Sequence, residues 1–95
     1  MNETYLTPLL NDYAAAPSPA VMAKLVEGYL PLSRAIARKF SGRGVEQEDL
    51  EQVAAMALMK AIERFEPQRG LKFSTFAMPT IAGEVRNYLR DKGSM

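Results

Sequence analysis

The segment DLEQVAAMALMKAIERF, from Asp49 to Phe65, is the element around which we expect the rest of this chain to fold. Its apolar residues recur at the i, i+3, i+4, i+7 spacing over about four turns, which predicts a helix with one wide buried face. The members of this apolar stripe are Leu50, Val53, Ala54, Ala57, Leu58, Ala61, Ile62 and Phe65. We therefore predict that this helix is the central element of a packed domain.

The outward face of this helix is unusual for a surface that only meets water. It carries two methionines among charged and amide side chains, and its members are Asp49, Gln52, Met56, Met59 and Glu63. A helix with a wide core stripe and a second, half-apolar face is typical of a protein that binds a partner.

Length and composition limit the classes of protein to which the chain can belong. Its 95 residues make one domain, and the 47% hydrophobic content is typical of a folded globular protein. The sequence has no Cys and no His, which excludes a disulfide framework, a Cys/His metal site and a Cys or Ser–His nucleophile. We expect no cofactor or metal, and an enzyme is the least favoured class. We expect neither a signal peptide nor a membrane span, and the lack of disulfides fits the cytoplasm.

The net charge of +1 conceals a segregation of charge along the sequence. Basic residues predominate in residues 20–43, acidic residues in 44–66, and basic residues again in 67–95. One interpretation is two surfaces with different partners, and the other is salt bridges between neighbouring helices. The charge pattern alone leaves both open.

Two helices are predicted ahead of the central one. The first lies within residues 1–16, with Thr7 as its N-cap. The second runs from about Pro19 to Phe40, with Ser18 as its N-cap. Pro31 lies in the middle of the second helix and removes one main-chain amide, so a kink or a break into two helices is expected there.

The last helix is predicted from near Ser74 to about Lys92, and Pro79 either bends its first turn or marks the start of the regular helix. Its outward side presents Phe76, Thr80, Gly83, Arg86, Asn87 and Arg90. This side suits nucleic acid, because arginines bind phosphate and a free aromatic ring stacks on an unpaired base. The alternative is that Arg90 and Lys92 only complement the helix C-terminus and that Phe76 belongs to the core.

No alternating run of useful length predicts a strand. The predicted fold class is therefore all-α, a compact bundle of four to five helices with short connections.

Two adjoining segments, LVEGYLPLSRAIARKFSGRGVEQ and EDLEQVAAMALMKAIERFEPQRGLKFSTFAMPTIAGEVRNYLRD, resemble the second conserved region of bacterial RNA polymerase sigma factors. The motifs PTIAGE, at residues 79–84, and YLRD, at residues 88–91, are most similar to the alternative sigma factors of the sporulation, general-stress and motility group. The resemblance covers residues 25–92 and implies a transcription initiation factor, not an enzyme.

In this family the central helix binds the clamp helices of the largest catalytic subunit of RNA polymerase. The polymerase-binding residues that the resemblance implies here are Asp49, Leu50, Gln52, Ala55, Met56, Met59 and Ile62. Acids and an amide would meet a basic coiled coil, and methionines would pack against it.

The last helix and its entry correspond to the part of the family that captures the non-template strand of the promoter's minus-ten element. The DNA-binding residues implied here are Lys72, Phe73, Thr75, Phe76, Thr80, Arg86, Asn87 and Arg90. Phe73 and Phe76 would stack on or pocket unpaired bases of the single strand, while polar members would contact strand and duplex.

The chain departs from the family pattern in three places. Ala54 and Ala57 stand where glycines are usual, which stiffens the helix at some cost in packing room. Pro79 and Thr80 replace the tryptophan pair of housekeeping factors, so the wedge that opens the duplex is expected to be weaker or different. Asn87 replaces a frequent arginine.

We expect residues 1–95 to form one region 2 domain, with an N-terminal extension in 1–18, core-binding helices in 19–66 and the promoter-melting helix in 67–95. The chain ends before the segment that completes contact with duplex promoter DNA, which suggests part of a longer sigma factor. A stand-alone half of a split sigma factor is the alternative.

A hypothesis of another class is a protein-interaction module whose main partner is an anti-sigma regulator. Met56 and Met59 would anchor that regulator.

Overall fold

Four α-helices joined by short turns make up the fold in the computed structural model, which describes residues 4–93. The helices are α1 (Thr7–Ala15), α2 (Pro19–Lys39), α3 (Gln47–Arg64) and α4 (Phe73–Gly93). Single 3-10 turns precede α1 at Thr4–Leu6 and join α3 to α4 at Pro67–Arg69. No strand occurs among residues 4–93, so the predicted all-α bundle is confirmed. The part of the predicted first helix that falls on residues 1–3 lies outside the described residues.

Different local structures begin α1 and α2. Ser18 is extended, and its Oγ accepts a hydrogen bond from the main-chain N–H of Val21 at 3.1 Å, as predicted for an N-cap. Pro19 takes the first helical position, where a missing N–H costs nothing. Thr7 does not cap α1, because the turn at Thr4–Leu6 runs directly into the helix and the preceding Leu6 already has helical dihedral angles.

The two internal prolines do not end their helices. The helix α2 continues through Pro31, so the predicted break into two helices is wrong. The helix α4 begins at Phe73, one residue from the predicted start near Ser74, so the alternative start at Pro79 is wrong. Each proline removes one main-chain hydrogen bond, whereas a break would expose apolar side chains that are buried on both sides of it.

The helix α3 packs against both α2 and α4, and its apolar stripe lies at the centre of the core. Six members of the predicted stripe are buried, while Val53 and Phe65 are half-buried. The buried side chains opposite them are Met22, Leu25, Tyr29, Ser33, Ile36 and Ala37 from α2, and Phe73, Ala77, Ile81 and Val85 from α4. Ala54 and Ala57 belong to the buried set, so their methyl groups fill space that glycines would leave open.

The N-terminal segment packs on α2 at a glycine. Leu6 is buried, and a Cβ added to Gly28 would lie 2.5 Å from Leu6 Cδ2. Such a distance is too short for two carbon atoms in contact, so Gly28 is what lets Leu6 approach the backbone of α2. A glycine inside a helix costs about 1 kcal/mol relative to alanine, and the Leu6 contact offsets that cost here.

A double-mutant cycle tests this contact. Gly28→Ala is expected not to stabilise the wild-type chain, because the new methyl group displaces Leu6. In a Leu6→Ala background the same substitution is expected to raise the free energy of unfolding by about 1 kcal/mol, since the space is then vacant. Chemical denaturation followed by far-ultraviolet circular dichroism measures both, and equal effects in the two backgrounds would contradict the contact.

Candidate functional site

The outward residues of α3 form a continuous exposed surface, which we term the α3 strip. Its members are Asp49, Gln52, Met56, Met59 and Glu63, and all five are exposed as predicted. Met56 is 63% exposed and Met59 is 42% exposed, although methionine side chains are commonly buried. The strip therefore combines exposed apolar surface with acidic and amide groups.

Ion pairs border the α3 strip on its two sides. On the α2 side, Arg34 Nε lies 3.7 Å from Glu51 Oε1. On the α4 side, Lys60 Nζ lies 2.6 Å from Glu84 Oε1. Within residues 4–93 the strip residues themselves make no ion pair. The strip is thus a free surface held between two interhelical contacts.

Three residues of the implied polymerase-binding set are buried or half-buried, so they are not fully accessible to a partner protein. Leu50 and Ile62 are buried, because they belong to the core stripe that packs on the neighbouring helices, and this corrects the expectation that they contact a partner. Ala55 is half-buried at the edge of the strip. Leu50 and Ile62 act on this surface only by fixing α3 in the bundle.

An aromatic cluster lies where α4 begins. Phe73 is only 2% exposed, and its ring centroid lies 4.5 Å from that of Tyr29 and 5.2 Å from that of Phe65. Phe73 is therefore a core residue in this structure, and a base cannot stack on its ring. Phe76 is half-buried, with its centroid 5.5 Å from that of Phe65, so part of its ring remains accessible.

The polar residues near this cluster differ in solvent exposure and in their hydrogen bonds within the protein. Lys72 and Thr75 are exposed. The Thr80 hydroxyl is half-buried and donates a hydrogen bond to the carbonyl of Phe76 at 3.4 Å, so it is engaged within α4. Lys72 and Thr75 are the better candidates for contacts with a ligand.

A cleft of about 510 Å³ adjoins the aromatic cluster, between α1 and the connection from α3 to α4. Its lining residues are Thr4, Thr7, Leu10, Asn11, Tyr29, Phe65, Pro67, Gly70, Leu71, Lys72 and Phe73. Leu71 is 48% exposed. Sequence reasoning missed Leu71 and the α1 residues, because nothing in the local pattern of α1 places it beside the entry to α4.

A second cleft, which we term the basic cleft, lies further along α4. It has a volume of about 560 Å³ and is lined by Arg43, Gly83, Arg86, Asn87, Leu89 and Arg90. The structure thus brings together the predicted residues Arg86, Asn87 and Arg90. Arg43 was not predicted to join them, because it lies in the turn between α2 and α3. The antiparallel packing of α3 and α4 places that turn beside the C-terminal half of α4.

The charge segregation along the sequence was expected to reflect either two partner surfaces or salt bridges between neighbouring helices, and the ion pairs show how far the second applies. Arg34–Glu51 joins the basic α2 to the acidic α3, and Lys60–Glu84 joins α3 to α4. Among residues 4–93 these are the only salt bridges between helices, and exposed pairs contribute about 1 kcal/mol or less. Most charged residues of the two surfaces thus remain available to partners.

Two kinds of feature are absent from residues 4–93. No group of three or more acidic side chains is arranged to hold a metal ion. None of the helices is long and apolar enough to cross a membrane.

Alanine substitution of the two phenylalanines of α4 is expected to lower the free energy of unfolding by different amounts. Phe73→Ala should lower the free energy of unfolding by about 3–5 kcal/mol, because it removes a ring from the core. Phe76→Ala should lower it by about 2 kcal/mol or less, since part of that ring already meets solvent. Chemical denaturation of the two variants measures both values, and a smaller loss for Phe73→Ala than for Phe76→Ala would contradict the assignment.

Comparison with known proteins gives concordant matches. The family model described as "Sigma-70 region 2" matches residues 25–95. The chain is 48% identical over 71 residues to the "RNA polymerase sigma-F factor" of Kitasatospora aureofaciens, covering 75% of this chain and 24% of that protein. It is 50% identical over 68 residues to "RNA polymerase sigma factor SigF" of Mycobacterium tuberculosis, covering 72% of this chain and 26% of that protein.

A third relative is the "RNA polymerase sigma-G factor" of Bacillus subtilis, which is 47% identical over 68 residues, with 72% of this chain and 26% of that protein covered. The matched part of the chain thus spans about a quarter of the length of these relatives. The relatives are alternative sigma factors, as the sequence resemblance implied. The chain belongs to the sigma-70 region 2 family.

Proposed function

We propose that this chain is the part of an alternative sigma factor that binds core RNA polymerase and holds the melted non-template strand of the minus-ten element. The observation that carries this proposal is the α3 strip, in which Met56 and Met59 are exposed between two interhelical ion pairs. Within the proposal, residues 19–66 supply the polymerase-binding helices and residues 67–95 the promoter-melting helix.

The α3 strip suits a basic coiled coil such as the clamp helices of the largest polymerase subunit. Asp49 lies in the first turn of α3 and Gln52 follows one turn later, so an acid and an amide are presented at the start of the strip. The flexible, polarisable side chains of Met56 and Met59 adapt to an apolar partner surface. The acidic groups of the strip favour a basic partner and steer its approach.

The entry to α4 suits an unpaired base. Phe76 rests against Phe65, which fixes one edge of its ring and leaves part of it for stacking. Lys72 and Thr75 are exposed nearby and can contact the sugar–phosphate backbone. Stacking of one base on an aromatic side chain contributes about 1–3 kcal/mol and tolerates any base. The choice of promoter sequence would therefore come from other contacts.

The two surfaces do not compete for the same side chains. The residues of the α3 strip project from α3, whereas Phe76 and the arginines belong to α4, and the two helices bury their other faces against each other. One molecule can therefore bind polymerase and DNA at the same time, as an initiation factor must.

The polymerase contact is tested with Asp49→Ala combined with Gln52→Ala. We expect binding to a clamp-helix fragment to weaken about tenfold, which corresponds to about 1.4 kcal/mol, with helical content unchanged. Isothermal titration calorimetry measures the affinity. Asp12→Ala with Gln68→Ala is the matched control, since it removes the same groups from exposed positions outside α3. Equal affinities for the test and control variants would refute this use of the strip.

The DNA contact is tested with Phe76→Ala and a single-stranded minus-ten oligonucleotide. Loss of the stacking surface should weaken binding about tenfold at low salt. Fluorescence anisotropy of a labelled oligonucleotide measures the change. Tyr5→Ala removes an aromatic side chain that is 64% exposed near the N-terminus and should leave the affinity unaltered. If Phe76→Ala binds as tightly as the Tyr5→Ala control, stacking on Phe76 is ruled out.

A second candidate function uses the same α3 strip. An anti-sigma regulator that covers Met56 and Met59 would block polymerase binding, because both partners need the exposed apolar part of the strip. Capture from a cell lysate followed by mass analysis separates the two partners, since polymerase subunits are much larger than a small regulator. Met56→Ala with Met59→Ala should reduce capture of either one.

A further inference from the structure

We propose that Arg43 and Gly83 complete the basic cleft as a binding site for a DNA backbone phosphate. The site adds a residue from the turn between α2 and α3 to Arg86, Asn87 and Arg90 on α4. This inference rests on the proposed promoter-binding function. It assigns the basic cleft to the sugar–phosphate backbone and extends the DNA-binding surface to the turn between α2 and α3.

The turn that carries Arg43 has a defined backbone and a positioned side chain. Gly42 and Gly44 flank Arg43 and adopt φ values of +81° and +82°, which residues with a Cβ rarely adopt. The Arg43 guanidinium carbon lies 5.4 Å from the centroid of the Phe40 ring, a cation–π arrangement. Arg43 is therefore presented towards α4 by local structure of its own.

Two of the three arginines in the basic cleft have no ion pair within residues 4–93. Among residues 4–93, neither Arg43 nor Arg86 has a carboxylate within salt-bridge distance. Arg90 pairs only with its sequence neighbour, Asp91 Oδ1, at 3.8 Å, and both side chains are largely exposed. Three guanidinium groups that line one cleft repel one another, and a bound phosphate relieves that repulsion while it accepts their hydrogen bonds.

Two acidic side chains that follow this turn in the sequence line a different cleft. That neighbouring cleft, of about 310 Å³, is lined by Arg43, Gly44, Val45, Glu46, Asp49, Tyr88, Leu89 and Lys92. Glu46 and Asp49 do not line the basic cleft. Arg43 thus separates a mixed-charge cleft from one whose charged side chains are all basic.

Gly83 leaves room in the basic cleft that the protein does not use. Within residues 4–93, a Cβ added at this position would have no packing neighbour within 4 Å. A glycine inside a helix lowers stability relative to alanine, so packing within the protein does not explain it. A ligand that approaches the backbone of α4 does explain it, because a methyl group would occupy the same space.

The cleft lies within reach of a strand held at Phe76. Phe76 and Arg86 are ten residues apart on α4, which at 1.5 Å per residue corresponds to about 15 Å. A DNA strand advances about 3.4 Å per nucleotide, so the same strand or its adjoining duplex reaches the cleft within about five nucleotides. The cleft and the proposed stacking site therefore fit one continuous DNA molecule.

Arg43→Gln tests the phosphate contact in the full chain. Fluorescence anisotropy with a forked duplex that bears a single-stranded minus-ten segment is expected to show about fivefold weaker binding. The slope of log affinity against log salt concentration should fall in magnitude by about one unit, because one phosphate contact is lost. Arg38→Gln is the control, since it removes the same charge from an exposed α2 position outside the cleft. An identical affinity and slope for both variants would overturn the proposal.

Gly83→Ala gives an independent readout. The melting temperature is expected to rise, because alanine is the better helix former and its methyl group would meet no packing neighbour among the described residues. Binding to the forked duplex is expected to weaken, since the methyl group enters the cleft. A more stable variant with unchanged DNA affinity would show that no ligand approaches Gly83.

A comparison of two probes separates this proposal from the promoter-binding proposal. If the wild-type chain binds neither the forked duplex nor the minus-ten single strand, both proposals fail. If it binds both probes and Arg43→Gln and Gly83→Ala have no effect on either, only the basic cleft fails. Weakening on the fork alone assigns the cleft to duplex phosphates, and weakening on both probes assigns it to phosphates of the single strand.

Discussion

Burial of α3 between α2 and α4 determines how the other elements of the bundle are arranged. The stripe that contains Leu50, Leu58 and Ile62 packs on both neighbours and leaves one side of α3 without a partner. Because the core fixes the rotation of α3 about its axis, it also fixes which side chains remain outside. Met56 and Met59 are exposed as a consequence of this packing, and the ion pairs at Glu51 and Lys60 border the surface that they form.

The aromatic cluster of Tyr29, Phe65 and Phe73 joins three helical regions at the entry to α4. Its rings lie within 5.2 Å of Phe73, so the end of α3 and the start of α4 are held against α2. Phe76 lies on the outside of this cluster, where its ring is supported by Phe65 and still partly accessible. A buried ring next to a half-exposed ring gives the proposed stacking site a rigid base.

Much of the fold could be predicted from sequence because its signals are local. The spacing of apolar residues gave α3 its buried face, and Ser18 before Pro19 marked the start of α2. Proline was the misleading signal. Pro31 was expected to kink or break α2, and Pro79 to bend the first turn of α4 or to mark its start. Neither the break nor the late start occurs, because packing on both sides of each proline keeps its helix continuous.

The candidate site was less predictable because it depends on contacts between distant parts of the chain. Both phenylalanines belong to the DNA-binding set that the family resemblance implied, and the positions of Tyr29 and Phe65 show that the ring of Phe73 is buried. Leu50 and Ile62 were included in the implied polymerase-binding set, although they also belong to the apolar stripe that forms the core. Arg43 joins α4 only through the turn between two other helices.

In the proposed function, one small bundle presents two independent surfaces, one for polymerase and one for DNA. Nuclear magnetic resonance of the isotopically labelled chain tests it most directly, through amide shifts recorded during separate titrations with a clamp-helix fragment and a minus-ten oligonucleotide. We predict that the fragment shifts amides around Met56 and Met59, that the oligonucleotide shifts amides between Lys72 and Arg90, and that the two sets do not overlap. A single shared set of shifted amides, or shifts confined to the buried core, would contradict the claim.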